Sequence, residues 1–171
     1  MTVVLKPQDI VVALKLCVIE DKKASYSSLA GEVGMSPSEV HAAVQRLTQA
    51  GLLQASARQP NKTALLEFLV HGLKYAFPPD RGGVTRGMPT AHAAAPLAAR
   101  IEAGDDLPPV WPDPQGTVRG EALAPLYDSV PAAARNDPKL YECLALVDAL
   151  RSGRARERKL AESMLRDRLA E

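Results

Sequence analysis

Apolar side chains recur at helical spacing in several stretches of this chain, and polar punctuation marks where each stretch starts and stops. Ile10, Val11, Leu14, Cys17 and Val18 share one face of a helix predicted from Pro7 to about Glu20. Pro7 suits a first helical turn, where no amide hydrogen is needed, and Asp9 beside it favours the positive end of the helix dipole. Ser25 caps a short second helix that turns Leu29, Ala30 and Val33 inward. Gly34 supplies a left-handed turn and Met35 fills the corner. Ser36 then opens a third helix, with Pro37 in first position and Glu39 completing a Ser-x-x-Glu capping box. Val40, Val44 and Leu47 form its buried face, and Gly51 stops it. Two short helices joined by a tight glycine turn are a helix-turn-helix, which leaves the outer face of the second helix free for a DNA major groove.

Beyond Leu53 the pattern changes. Leu52 to Arg58 reads as a strand and Gln59-Pro60-Asn61 as a turn, so a wing is short or missing. Asn61 caps a further helix through KTALLEFLVHGLKYAF, with Leu65, Leu66, Leu69, Val70 and Leu73 inside. Phe77 to Pro138 holds 11 of the 14 prolines and 6 of the 11 glycines, which confines any long helix there to about Ala91–Glu102. Leu97, Ile101, Trp111, Leu123, Leu126 and Val130 recur through it, so it is expected to be an ordered, loop-rich segment packed over a helical core. Asp137-Pro138 restarts helix, with Leu140, Cys143, Leu144, Val147 and Leu150 on one face. After Ser152-Gly153, Leu160, Met164, Leu165 and Leu169 repeat the pattern. The expected fold is mainly α: a winged-helix-like domain at residues 1–76, a proline- and glycine-rich packed connector at 77–136, and a C-terminal helical pair at 137–171.

The run SYSSLAGEVGMSPSEVHAAVQRLTQAGLL resembles the DNA-binding core of bacterial winged-helix transcription regulators, most nearly the MarR-like group. The resemblance covers Lys6 to Arg58, and turn, cap, proline and exit glycine all fall at matching offsets. It implies a sequence-specific regulator whose partner is double-stranded DNA. The positions away from the Val40–Val44–Leu47 face are Ser38, His41, Ala42, Gln45, Arg46 and Gln49. Gln45 suits a bidentate contact with adenine, Arg46 suits guanine or phosphate, and His41 can donate to either. Ser36, Ser38 and the helix N-terminus are candidates for a phosphate, and Arg58 for a wing contact.

Charge changes this picture little. The chain is +1 overall, made of +2 over residues 1–76, −2 over 77–136 and +1 over 137–171. DNA-binding domains are usually more basic, so a homodimer that doubles the phosphate contacts is expected, paired through surplus apolar stripe on the C-terminal helices. Those helices equally suit a protein partner. The alternative function is accordingly an interaction or antitoxin-like component whose helix-turn-helix only autoregulates its operon. RGGVTRGMPTAH offers Arg81 and Arg86 as phosphate contacts replacing the wing, but it lacks the Gly-Lys-Ser/Thr ending of a nucleotide-binding loop. No nucleophile–base motif and no His/Cys ligand spacing is found, so neither enzymatic activity, cofactor nor metal is expected. Cys17 and Cys143 sit in apolar helical patterns and read as reduced core residues. The start MTVVLKPQDIVV has no signal-peptide pattern and no apolar run is long enough for a membrane span, so a cytoplasmic location is expected.

Overall fold

The computed structural model describes Thr2 and residues 4–170. Its centre is α1 (Pro7–Val18), in which every residue from Asp9 to Cys17 is buried. The apolar stripe expected on one face is therefore only part of its contact surface. α2 (Tyr26–Val33) and α3 (Pro37–Gln49) pack on it from one side, α7 (Pro138–Ser152) from another. The wing is present in minimal form: β1 (Leu53–Gln54) pairs antiparallel with β2 (Gln59–Pro60), Leu53 opposite Pro60. Gln59-Pro60 is thus the returning strand rather than the turn, a place open to proline because a two-residue edge strand needs few donors. Asn61 caps α4 (Lys62–His71), its side-chain oxygen accepting the Ala64 amide at 3.2 Å, and a break at Gly72 separates α5 (Leu73–Ala76).

The connector contains strands that the sequence pattern did not predict. β3 (Arg81–Pro89), β4 (Pro109–Pro112) and β5 (Val118–Leu123) close into a small barrel, with β3 antiparallel to both others and β4 parallel to β5. Such tight closure needs bare backbone: a Cβ on Gly87 would run into the Trp111 carbonyl. The helix expected over Ala91–Glu102 is two 3₁₀ turns instead, Ala91–Ala93 and Leu97–Ala99. Pro96 explains the break, since it has no amide hydrogen and disfavours helical backbone at Ala95. A short α6 (Val130–Asn136), entered through Pro131 in its first turn, leads to α7 and then α8 (Ala155–Ala170).

One hydrophobic core runs through the described residues, from Ile10 to Leu169, and takes in Leu97, Trp111 and Leu126 of the connector. Leu144, Val147, Leu150 and Leu165 lie within it, while Leu160 and Met164 are half-buried. Most of the apolar stripe expected to be in surplus on the C-terminal helices is used inside the chain, and Leu160 and Met164 are its partly exposed remainder.

A buried carboxylate is one of the ties that fasten the barrel to the helices. Asp148 on α7, 2% exposed, accepts from Thr90 Oγ1 at 2.7 Å, Trp111 Nε1 at 2.6 Å and Arg151 Nη1 at 2.8 Å. Arg151 also donates to the carbonyls of Phe77 at 2.9 Å and Pro78 at 3.3 Å. Burial pushes the Asp148 carboxyl above its ordinary range, and the Arg151 charge and these hydrogen bonds pull it back.

Cys17 and Cys143 are free and buried, as expected of core thiols, and burial raises them to about 11 and about 12 respectively. Native protein at pH 8 should leave both unreacted with a thiol reagent over minutes, and urea should release both together. A fast-reacting thiol in the folded state would contradict the packing of α1 on α7. Asp148→Ala leaves Arg151 buried without its partner and should cost about 3–5 kcal/mol, read as a lower urea midpoint; an unchanged midpoint would remove Asp148 as one of the ties.

Candidate nucleic-acid interface

The local chemistry of residues 25–49 fixes how α3 is presented. Ser25 Oγ accepts the Ser28 amide at 3.0 Å and so starts α2. Gly34 ends it with φ of 69°, a left-handed conformation that would strain any side chain. A Cβ there would also stand 2.8 Å from the Ser129 Cβ. The capping box predicted for α3 is formed: Ser36 Oγ accepts the Glu39 amide at 3.1 Å, and Glu39 Oε2 accepts the Ser36 amide at 2.9 Å. Val40, Ala43, Val44 and Leu47 are buried beneath the helix. Ser36, Ser38, His41, Gln45 and Gln49 are exposed and Ala42 half-buried, a continuous polar face on the outside of α3.

Arg46 lies apart from that face. Its Nε donates to Asp9 Oδ2 at 2.8 Å and its Nη2 to Asp9 Oδ1 at 2.7 Å, a two-pronged ion pair with a carboxylate that is fully buried. Asp9 simultaneously accepts the Lys6 amide at 2.9 Å and so caps α1. The hydrogen bond to Asp9 is the main reason the Arg46 guanidinium is held above its ordinary pKa. The expected base or phosphate contact gives way to a clamp between α1 and α3, because an unpaired buried carboxylate costs more than a surface arginine loses by bending inward.

The phosphate cradle expected at the start of α3 is largely occupied too. Pro37 has no amide hydrogen, and the Glu39 and Val40 amides are taken by Ser36 Oγ and the Ser36 carbonyl. Ser38 Oγ lies 3.1 Å from Ser36 Oγ, and the negative Glu39 stands at the same end. Arg58, expected to reach outward from the wing, folds back instead. At φ of 48° it sets its guanidinium 4.8 Å from the centre of the Tyr26 ring, which in turn meets His41 edge-on at 5.1 Å. Its Nη1 is buried without a hydrogen-bond partner. Arg81 and Arg86 separate: Arg81 Nη2 donates to the Ser152 carbonyl at 2.7 Å, whereas Arg86 is exposed on the barrel.

Three neighbours of this face are not legible in the sequence. Tyr26 joins the wing to α3 through the stack just described. Tyr127 of the connector donates to Glu39 Oε1 at 3.3 Å, and Ser129 Oγ donates to the Val33 carbonyl at 2.7 Å, so the segment before α6 braces the helix-turn-helix corner. The only local hint was Pro131, which marks a helix start close by. Among the described residues no group of three or more His, Cys, Asp or Glu is placed to hold a metal. No helix there is long and apolar enough to cross a membrane.

Residues 16–54 match a family model described as winged helix-turn-helix DNA-binding. Over that span the chain is similar to a DNA-binding module. The matched segment runs from the end of α1 to β1 and so contains both helices of the motif and the entry to the wing. No curated protein and no solved structure matches the chain.

If the Arg46–Asp9 clamp is structural, Arg46→Ala should lower stability by about 3 kcal/mol or more, because Asp9 is left charged and buried. Urea denaturation measures this. Binding preferences of the surviving folded protein for one base pair over another should be unchanged, and an altered preference at one position with full stability would return Arg46 to the reading face.

Proposed function

We propose that this chain is a sequence-specific transcription regulator of the winged-helix, MarR-like kind that reads duplex DNA with α3. The observation that carries the reading is the outer face of α3: Ser38, His41, Gln45 and Gln49 stand exposed in a row on a helix fixed beneath by Val40, Val44 and Leu47. A rigid helix with an exposed stripe of hydrogen-bonding side chains is what groove readout requires. The match of residues 16–54 to a winged helix-turn-helix DNA-binding model supports the same reading.

Within it, Gln45 is the base reader, its amide suited to adenine N6 and N7 in the major groove. His41, held by Tyr26, and Gln49 flank it, and Ala42 leaves room for a thymine methyl. Ser36 positions the helix and does not contact bases, since its side chain and amide are both spent on the cap. Ser38 is left for a phosphate. The face carries no unpaired lysine or arginine of its own, so one copy draws little electrostatic attraction from a duplex. That deficit supports two copies on a near-palindromic site. With the α7–α8 stripe buried, their contact does not rest on Leu144, Val147, Leu150 or Leu165.

Selection of bound sequences from random duplexes at fixed salt tests the function: a recovered motif with two-fold symmetry is the expected result, and no enrichment over background would overturn it. On the recovered site Gln45→Ala should cost about 1–3 kcal/mol against the preferred base at one position of each half-site, with no change in melting temperature. A uniform loss across all sequences would move Gln45 from base to backbone.

A further inference from the structure

The β3–β5 ribbon carries an arrangement that works against its own stability. Arg86 and Arg119 are direct partners in the antiparallel register, and both are exposed, so two like-charged side chains leave the same outer face of the ribbon. Like charges directly opposite on neighbouring strands are destabilising. Several other arginines are paired with carboxylates: Arg46 with Asp9, Arg151 with Asp148, Arg168 with Glu142, and Arg135 with Asp113. Neither Arg86 nor Arg119 has a hydrogen bond through its side chain or an ion pair with any described residue. The nearest carboxylates do not serve them. Glu121 lies two residues from Arg119 on the same strand, opposite Val84, and pairs with neither. Asp113, whose amide donates to the Arg86 carbonyl at 3.2 Å, commits its carboxylate to Arg135.

The position of this pair relative to α3 follows from α6. The N-terminal end of α6 is tied to the helix-turn-helix corner by Ser129 on Val33, and its C-terminal end is tied to the barrel by Arg135 on Asp113. A seven-residue helix is about 10 Å long, so one short helix links that corner to Asp113, whose amide bonds the Arg86 carbonyl. We propose that Arg86 and Arg119 together clamp the sugar–phosphate backbone of the duplex that α3 reads, supplying from the connector the phosphate contact that the short wing does not. Two adjacent guanidinium forks match the oxygens of a phosphodiester, and a bound phosphate turns their mutual repulsion into a shared attraction. Arg119, rather than Arg81, is the second member of the clamp. The inference rests on the DNA-reading function above.

The test compares wild type, the double variant Arg86→Ala/Arg119→Ala, and a control of equal charge change, Arg100→Ala/Arg156→Ala, which removes two exposed arginines that lie outside the ribbon. Each binds a labelled duplex carrying the wild-type site over a series of salt concentrations. The clamp variant should show a slope of log affinity against log salt that is shallower by about 0.9 for each bound copy, the value for the one phosphate that the pair shares. It should lose affinity equally for the selected and a scrambled duplex, and keep or raise its melting temperature. The control should keep the wild-type slope. A clamp variant with unchanged slope and affinity, a fall in its melting temperature, or an equal slope change in the control each overturns the clamp while leaving the groove reading intact. A wild-type chain that binds no duplex overturns the groove reading, and the clamp with it.

Discussion

A carboxylate with no route to water has to be satisfied by the protein around it, and in this chain that requirement organises the tertiary structure. Asp148 gathers a hydroxyl from the 3₁₀ region, an indole from β4 and a guanidinium from its own helix. Arg151 passes the constraint on to the carbonyls where the chain leaves α5. Each of these groups carries a desolvation cost of its own, and only the whole set in one geometry offsets it. The connector is therefore held on α7 by this set together with Arg81 on the Ser152 carbonyl and Tyr141 on the Pro89 carbonyl.

Asp9 does the same for the N-terminal helices. Its oxygens cap α1 and hold Arg46 of α3, thirty-seven positions on in the chain. The angle at which α3 stands on α1 is set by an ion pair as well as by Val40 and Leu47. The side of α3 that faces outward is thereby fixed before any partner arrives, which lowers the ordering cost of binding. Tyr127 and Ser129 add a third support from the connector at the corner of the motif.

What could be read in the sequence was local, and what could not was distant. Ser25, Ser36, Asn61 and Asp137 announced their helices because a cap bonds to an amide three residues away, within a single turn. Gly34 announced its turn for the same reason. Arg46 looked like a reader because its spacing put it near the outer face, and no periodicity reveals a carboxylate at position 9 waiting for it. β3 was missed because RGGVTRGMP has few β-branched residues and no apolar alternation. Its strand character comes from pairing with β4 and β5, not from its own preference. The stripe on α7 and α8 was real but looked like surplus, since the sequence could not show that α1, α4 and the 3₁₀ turns already cover most of it.

The burial of α1 on every side has a consequence for how this motif can be handled. Helix-turn-helix modules are commonly thought of as portable, able to be cut out and fused to another body. Here the helix behind the motif is also the core helix of everything that follows, wrapped by α3 and by α7 at once. A fragment ending after the wing would expose an apolar surface that the intact chain keeps dry, and a foreign body grafted in its place would have to reproduce the shape of α7. The helix-turn-helix and its support form one folding unit.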